Sequence, residues 1–452
     1  MACCPDRSFT SRSRPDLVFL DIVYLLVVVF ALPWVIWRRL GGGRPVAAPA
    51  TRFFGTVAVA PRPAGTPRIW LHGVSVGEVQ LLASLAAEIR RQAEAAGRPI
   101  DCVISSATTT GLEVAAKRFD TEHTFPCPLD FTWAMNRVFS RVTPDLLVLG
   151  ELELWPTMLA AARARGIPVI VANARMSERS ARGYGRIAWL ARRMLGMVTV
   201  VAARSRQDAD RFAALGARDV RVVGSMKFDG VRGDRGAADV LRLRHLAGFA
   251  ADDIVFLAGS TQAPEERLAA EAFLALRQDH PALRLVLVPR HVERSAEIGR
   301  LLDGLGLRWQ ARSRIDADGV DAASRVLLVD TTGELGWWWG SATIAFVGGS
   351  LDGRRGGQNM LEPAAYGAAV SFGPQTRNFA DEVGRLLAAD AAVVVADGAA
   401  LTAFMARCLQ EPGWAAALGQ RAAAAVAAER GATPVTARLI LELLPAEPSA
   451  PG

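Results

Sequence analysis

From residue 68 onward, short apolar runs alternate with longer stretches of helical periodicity. The runs are 69–74, 101–106 ("DCVISS"), 146–150 ("LLVLG"), 168–173 ("PVIVAN"), 197–202 and 220–223. Helical spacing of apolar residues lies between them, near 78–96, 110–119, 156–165, 184–195 and 205–215. Continuous apolar runs of this length read as strands buried on both faces, and strand–helix alternation predicts a parallel sheet with helices on each side. "KFDGVRGDRGAADV" breaks the rhythm and places a domain boundary near 231. The alternation restarts at 253–261, 283–290, 325–330, 343–350, 368–373 and 391–397, and two closing helices, about 414–429 and 435–444, have no strand after them. The predicted fold class is α/β: two doubly wound, Rossmann-like domains, 68–230 and 231–452, with the strand C-termini of both facing a shared cleft.

The N-terminus breaks this pattern. Residues 17–37 read "LVFLDIVYLLVVVFALPWVIW", with Asp21 as the only charge. A run of this length and apolarity predicts a membrane anchor helix, and the arginines after it favour a cytoplasmic position for the bulk of the chain. Residues 1–16 are read as an extension and 38–67, rich in Gly, Pro and Arg, as a linker.

Composition narrows the function classes. The 452 residues are 51% hydrophobic, with mean hydropathy +0.21 and net charge +7. Lys117 and Lys227 are the only lysines, and the arginines are scattered without the aromatic interleaving of a nucleic-acid binder. The excess positive charge suits acidic lipid headgroups or phosphorylated substrates. Five cysteines and five histidines show no metal-ligand spacing, so neither a metal nor a resident cofactor is expected.

Candidate chemistry clusters where strands end. In "RIWLHGVSVGEV", Ser75 and Glu78 have the spacing of a capping box. The same position carries Glu78 out of a strand's C-terminal edge, beside His72, Gly73 and Gly77, where a carboxylate can take a proton from a substrate. Cap and base both remain open on local sequence. Glu153 in "ELELWPTM" reads equally as a helix-dipole partner or a substrate ligand, and Lys227 in "GSMKFD" as a surface lysine or an anion contact. In the second half, "AGSTQAPEE" offers Ser260 and Thr261, and "VPRHVERS" puts Arg290 and His291 just past a strand. "VGGSLDGRRGGQNMLEPAA" is a glycine loop entering a helix, with Gly349, Ser350, Gly357, Asn359 and Glu362. Together these favour a nucleotide-phosphate site, with glycine N–H groups as the anion cradle, Arg290 as a clamp and Glu362 facing ribose. No Walker A or G-x-G-x-x-G fingerprint is present. "DAD" at 316–318 reads as solvated loop, and the run Trp337–Trp339 as a helix packed on the sheet.

"WLHGVSVGEV", "ELELWP", "NARMSERS", "GSMKFD", "VPRHVER", "GGSLDGRRGGQNMLEPA" and "GPQTRNF" follow one another here in the order found in bacterial 3-deoxy-D-manno-octulosonate (Kdo) transferases. The chain resembles that family from about residue 17 to its end. The resemblance implies a GT-B glycosyltransferase, inverting and metal-independent, on the cytoplasmic face of the inner membrane, that loads Kdo from CMP-Kdo onto a lipid A precursor in lipopolysaccharide biosynthesis. It assigns Glu78 as the base. CMP then falls to Arg290, His291, Gly349, Ser350, Gly357, Asn359 and Glu362. The sugar and acceptor fall toward His72, Ser75, Gly77, Glu153 and Lys227, and Asn378 matches G-P-x-x-x-N-F. The sequence departs from the family at Gln262-Ala263-Pro264 and at Gln358 and Met360. Gln262 and Gln358 stand where histidine is usual, which keeps hydrogen bonding and loses a titratable proton. "TRFFG" also matches poorly. A GT-B enzyme using a UDP- or GDP-sugar, and a non-catalytic membrane-tethered binding protein, are the alternatives.

Overall fold

The computed structural model describes residues 49–444, together with 21, 22, 24–26 and 30. Two compact units form: one runs to Asp229 and takes up the chain again from Gly431, and the other is Gly230–Arg430.

The first unit is built on seven strands: β1 (Arg68–Gly73), β2 (Asp101–Ser106), β3 (Thr124–Pro126), β4 (Leu146–Gly150), β5 (Val169–Ala174), β6 (Val200–Ala203) and β7 (Val220–Val222). They are parallel, in the order β3-β2-β1-β4-β5-β6-β7. Every residue of β1, β2, β4, β5 and β6 is buried, the consequence of helices on both faces. One such helix, Val76–Ala95, buries Val79, Leu82, Leu85, Ala86, Ile89 and Ala93 along one stripe. The closing helix, Ala432–Leu443, lies against it, burying Ala437, Leu439 and Ile440 in the same core, and Gln92 Nε2 donates to Pro434 O at 3.0 Å. The crossing back is pinned by Asp229, whose carboxylate accepts from Gly431 N and Thr433 N, both at 2.6 Å.

The second unit repeats the plan with β8 (Ile254–Thr261), β9 (Leu283–Pro289), β10 (Trp309–Ala311), β11 (Val326–Leu328), β12 (Ile344–Val347), β13 (Ala369–Phe372) and β14 (Val393–Val394). The order is β10-β11-β9-β8-β12-β13-β14, again parallel. In each sheet the winding reverses once: between β1 and β4, and between β8 and β12. Such reversals leave a crevice at the strand C-termini, where ligands of this fold class bind.

Several local expectations change. The periodicity at 184–195 resolves into two helices, Glu178–Arg186 and Ala188–Leu195, broken at Ile187. The stretch read as linker contains a helix, Pro49–Phe54, and buries Val57 and Val59. "DAD" lies on the helix Arg312–Asp318, with Asp316 and Asp318 paired to Arg312 and Arg314.

The membrane anchor is the main correction. Most of 17–37 lies outside the described residues, as does 1–16. Among the described residues no helix is long and apolar enough to cross a membrane. That finding overturns the spanning helix, and the inner-membrane placement built on it falls with it. Asp21 supplies a physical reason. Its Oδ1 accepts from Thr132 N at 2.8 Å, at the start of the helix Thr132–Val142, whose N-cap Phe131 has no side-chain acceptor. Tyr24 meets the Phe131 ring edge-on at 6.2 Å. The one charge in the apolar run therefore serves the folded unit.

Candidate active site

In the first unit, β1 ends at Gly73 and Ser75 caps the helix Val76–Ala95, accepting from Glu78 N. Glu78 closes the box: Oε2 accepts from Val74 N and Oε1 from Ser75 Oγ, both at 2.8 Å. The carboxylate is thus fixed by two donors, and its oxygens keep lone pairs for a further partner. Gly73 and Gly150 make room for it, since a Cβ would lie 3.1 Å from Glu78 Cβ at Gly73 and 3.7 Å at Gly150. Gly77 is open to approach, with only Ser75 Oγ, at 3.9 Å, near where a Cβ would be.

Two more carboxylates follow β4, across the winding reversal. Glu151 sits at φ +50. Burial raises its carboxyl, the Glu78 charge adds to that, and Lys227, Arg204 and Arg175 oppose it. Glu153 is also raised by burial and by Glu78 and Glu151, against the pull of Trp155, whose Nε1 donates to Oε2 at 2.9 Å. Asn173, at φ +53 near the end of β5, accepts from Met226 N at 3.1 Å and so tethers the segment carrying Lys227. Non-glycine residues in the left-handed region at two neighbouring strand ends mark backbone held under strain, a frequent attribute of functional sites.

The predicted residues do not all point the same way. Ser75, Gly77, Glu78, Glu153 and Lys227 lie at the strand ends. His72 is fully buried, its Nδ1 2.9 Å from Ser105 Oγ and its ring edge-on to Trp155. Burial lowers its pKa to about 4, leaving it a neutral member of the core. Glu151, Arg175 and Arg204 join the cluster without having been singled out. The available signal was positional: each is the first charged residue past β4, β5 or β6.

In the second unit the loops after β8 and β12 meet around a buried carboxylate. Glu265, 2% exposed, accepts from Gln262 N (3.0 Å) and Gly349 N (2.7 Å) on Oε2, and from Ser350 N (2.9 Å) and Leu351 N (3.1 Å) on Oε1. Burial pushes its carboxyl upward while these amides work against that, because the ionised group accepts all of them without a competing proton. The Gly349 and Ser350 amides expected to cradle phosphate are therefore already engaged. The Ser350 hydroxyl is engaged too, donating to Val347 O (2.7 Å) and accepting from Gly373 N (2.8 Å). Ser260 stands at φ +55, and Thr261 is fully buried with Oγ1 lacking a hydrogen-bond partner.

Arg290 and His291 follow β9 and are exposed. Asn359 Nδ2 donates to Glu362 Oε1 at 3.1 Å. Burial raises the Glu362 carboxyl; Asn359, Trp339, Arg232 and Arg290 draw it back. Gly357, at φ +82, donates to Gly349 O at 2.8 Å. Asn378 braces this unit's glycine loop: its N donates to Gly356 O (2.9 Å) and its Nδ2 to Arg355 O (2.7 Å). Trp338 and Trp339 are buried, and Arg232 stacks 4.0 Å over the Trp337 ring. Among the described residues no group of three His, Cys, Asp or Glu side chains is arranged to hold a metal.

These half-sites can be set beside known proteins. A family model described as 3-deoxy-D-manno-octulosonic-acid transferase (kdotransferase) matches residues 49–230. The 3-deoxy-D-manno-octulosonic acid transferase of Bordetella pertussis is 33% identical over 418 residues, 90% of this chain and 94% of that protein. The corresponding protein of Haemophilus influenzae is 33% identical over 338 residues, 74% and 76% of the two chains. A solved glycosyltransferase from Rickettsia africae superposes with a TM-score of 0.54 at 12% identity, over 84% of this chain and 99% of that one, which speaks for the two-unit GT-B-like fold alone. Identity of one third across nine-tenths of the sequence settles the kinship: this chain belongs to the 3-deoxy-D-manno-octulosonic acid transferase family.

Proposed function

We propose that this protein is an inverting transferase that moves Kdo from CMP-Kdo to a hydroxyl of a lipid A precursor without a metal ion, with Glu78 as general base. The observation that carries the assignment is the Glu78 carboxylate, held by Val74 N and Ser75 Oγ at the winding reversal of the first sheet. The acceptor hydroxyl gives its proton to a remaining Glu78 lone pair as its oxygen bonds to the sugar's anomeric carbon. The bond from that carbon to the phosphate oxygen breaks, and CMP leaves with the electron pair. The sugar centre passes through an oxocarbenium-like state. Glu151 and Glu153, both raised by burial, accept or donate hydrogen bonds to the acceptor's hydroxyls, and Lys227, Arg204 and Arg175 attract its negative groups. In the second unit Arg290 answers the charge growing on the leaving phosphate, and Glu362 with Asn359 takes the ribose.

The test is direct. Purified protein is incubated with freshly generated CMP-Kdo and a tetraacyl lipid A precursor, and the lipid product is weighed. A gain of one or more Kdo masses supports the reading. Glu78→Gln keeps the box, since the new amide can donate to Ser75 Oγ while its oxygen still accepts from Val74 N. Its transfer rate should nevertheless fall about 100-fold or more. Normal turnover by that variant removes Glu78 as the base, and transfer from a UDP-sugar with none from CMP-Kdo removes the donor assignment.

A further inference from the structure

Two glutamines meet where the loops after β8 and β12 come together. Gly349 lies between them at φ +66, and a Cβ there would sit 3.4 Å from Gln262 Nε2 and 3.3 Å from Gln358 Nε2. Both amides therefore crowd one side of the Gly349 backbone, using space that residue 349 leaves by having no side chain. Gln262 is 8% exposed, and its amide is not fully buried, so a ligand can still reach it. The Gln262 backbone N donates to Glu265, and among the described residues the side-chain amides of Gln262 and Gln358 have no hydrogen-bond partner.

The charge around this volume narrows what it takes. The backbone amides below already donate to Glu265, so a ligand over Gly349 finds its hydrogen-bond donors on side chains. Arg290 enters from the next strand end, with its backbone N donating to Thr261 O at 3.0 Å. Two side-chain amides and an arginine at the next strand end suit the oxygens of a phosphate.

We propose that Gln262 and Gln358 are a two-amide clasp for the non-bridging oxygens of the donor's single phosphate. The proposal rests on the CMP-sugar reading above and goes beyond it by naming the phosphate ligands that replace the loop amides.

Calorimetric titration of the full chain with CMP, cytidine, UMP and UDP tests it. Gln262→Ala and Gln358→Ala should each weaken CMP about tenfold or more, the range for a hydrogen bond to a charged group. UMP should weaken by the same factor as CMP, and cytidine, which lacks the phosphate, should change less than twofold. Cytidine binding also reports that the site is still folded. Gln262→Glu and Gln358→Glu, which keep the shape and add a repelling charge, should weaken CMP more than alanine does. Unchanged CMP binding in the variants overturns the clasp while leaving the donor reading intact. Equal losses for CMP and cytidine also overturn it, since the glutamines would then serve the base or the fold. A wild-type chain that ignores CMP and binds UDP overturns clasp and donor reading together.

Discussion

Replacing Glu265 with glutamine exchanges one oxygen for an NH2 group and disturbs two loops. In the native protein four backbone N–H groups, from Gln262, Gly349, Ser350 and Leu351, converge on two carboxylate oxygens in a buried place. Glutamine has one oxygen. Whichever way its amide turns, one pair of N–H groups faces an NH2 group and loses its acceptor. A buried donor left without a partner costs about 1–3 kcal/mol, so the two together cost about 2–6 kcal/mol. The surviving pair is weakened as well, because a neutral oxygen replaces a charged one. Against a typical domain stability of about 5–15 kcal/mol, the second unit should stay folded while its loops open locally. Hydrogen exchange followed by mass spectrometry reads this directly. Peptides covering 345–352 should lose at least about 30-fold in protection, the equivalent of about 2 kcal/mol, while β8 and β9 change little. Glu265→Asp keeps the charge but withdraws it by a methylene, so it should fall between the two. If Glu265→Gln leaves exchange at Gly349, Ser350 and Leu351 within about threefold of wild type, the carboxylate does not hold these loops.

Other consequences are as concrete. His72 has a folded pKa near 4 against an ordinary 6.5, so its contribution to stability is complete above 6.5 and is lost as pH falls toward 4. The loss should reach about 3 kcal/mol, and His72→Asn should flatten the wild-type decline of urea midpoints over that window. Gly259→Ala sets a methyl 2.4 Å from Trp339 Cζ2, and overpacking of about 1–3 kcal/mol should lower the melting temperature; an unchanged melt would mean the Trp339 ring moves freely. Asp229→Ala removes the acceptor of Gly431 N and Thr433 N and should cost about 1–2 kcal/mol, read as faster proteolysis of the helix Ala432–Leu443.

Most of the sheet framework was legible because fully buried parallel strands announce themselves as unbroken apolar runs. β3 and β10 escaped because three residues at a sheet edge carry too little pattern. The break at Ile187 escaped because the apolar spacing continues through it, although the backbone there leaves the helical region. Glu78 was found by its capping-box spacing, a local signature. Glu265 was not, because its partners Gly349, Ser350 and Leu351 are more than eighty residues away and nothing in "APEE" announces them. The same limit produced the anchor: the apolarity of 17–37 is plain in sequence, whereas the use of Asp21 at Thr132 is a long-range contact.

The return of the last helix to the first unit bears on how the chain is made. Gly230–Arg430 is contiguous, so a nascent chain can complete that core as soon as it clears the ribosome. The half that carries Glu78 is begun first and finished last, because the flank of Val76–Ala95 is covered only when Ala432–Leu443 has been translated. Until then the newborn protein offers chaperones and proteases an uncovered apolar flank on its first unit. A ribosome stalled short of Ala432 would leave an abortive product with a second unit able to fold and a first unit open to degradation.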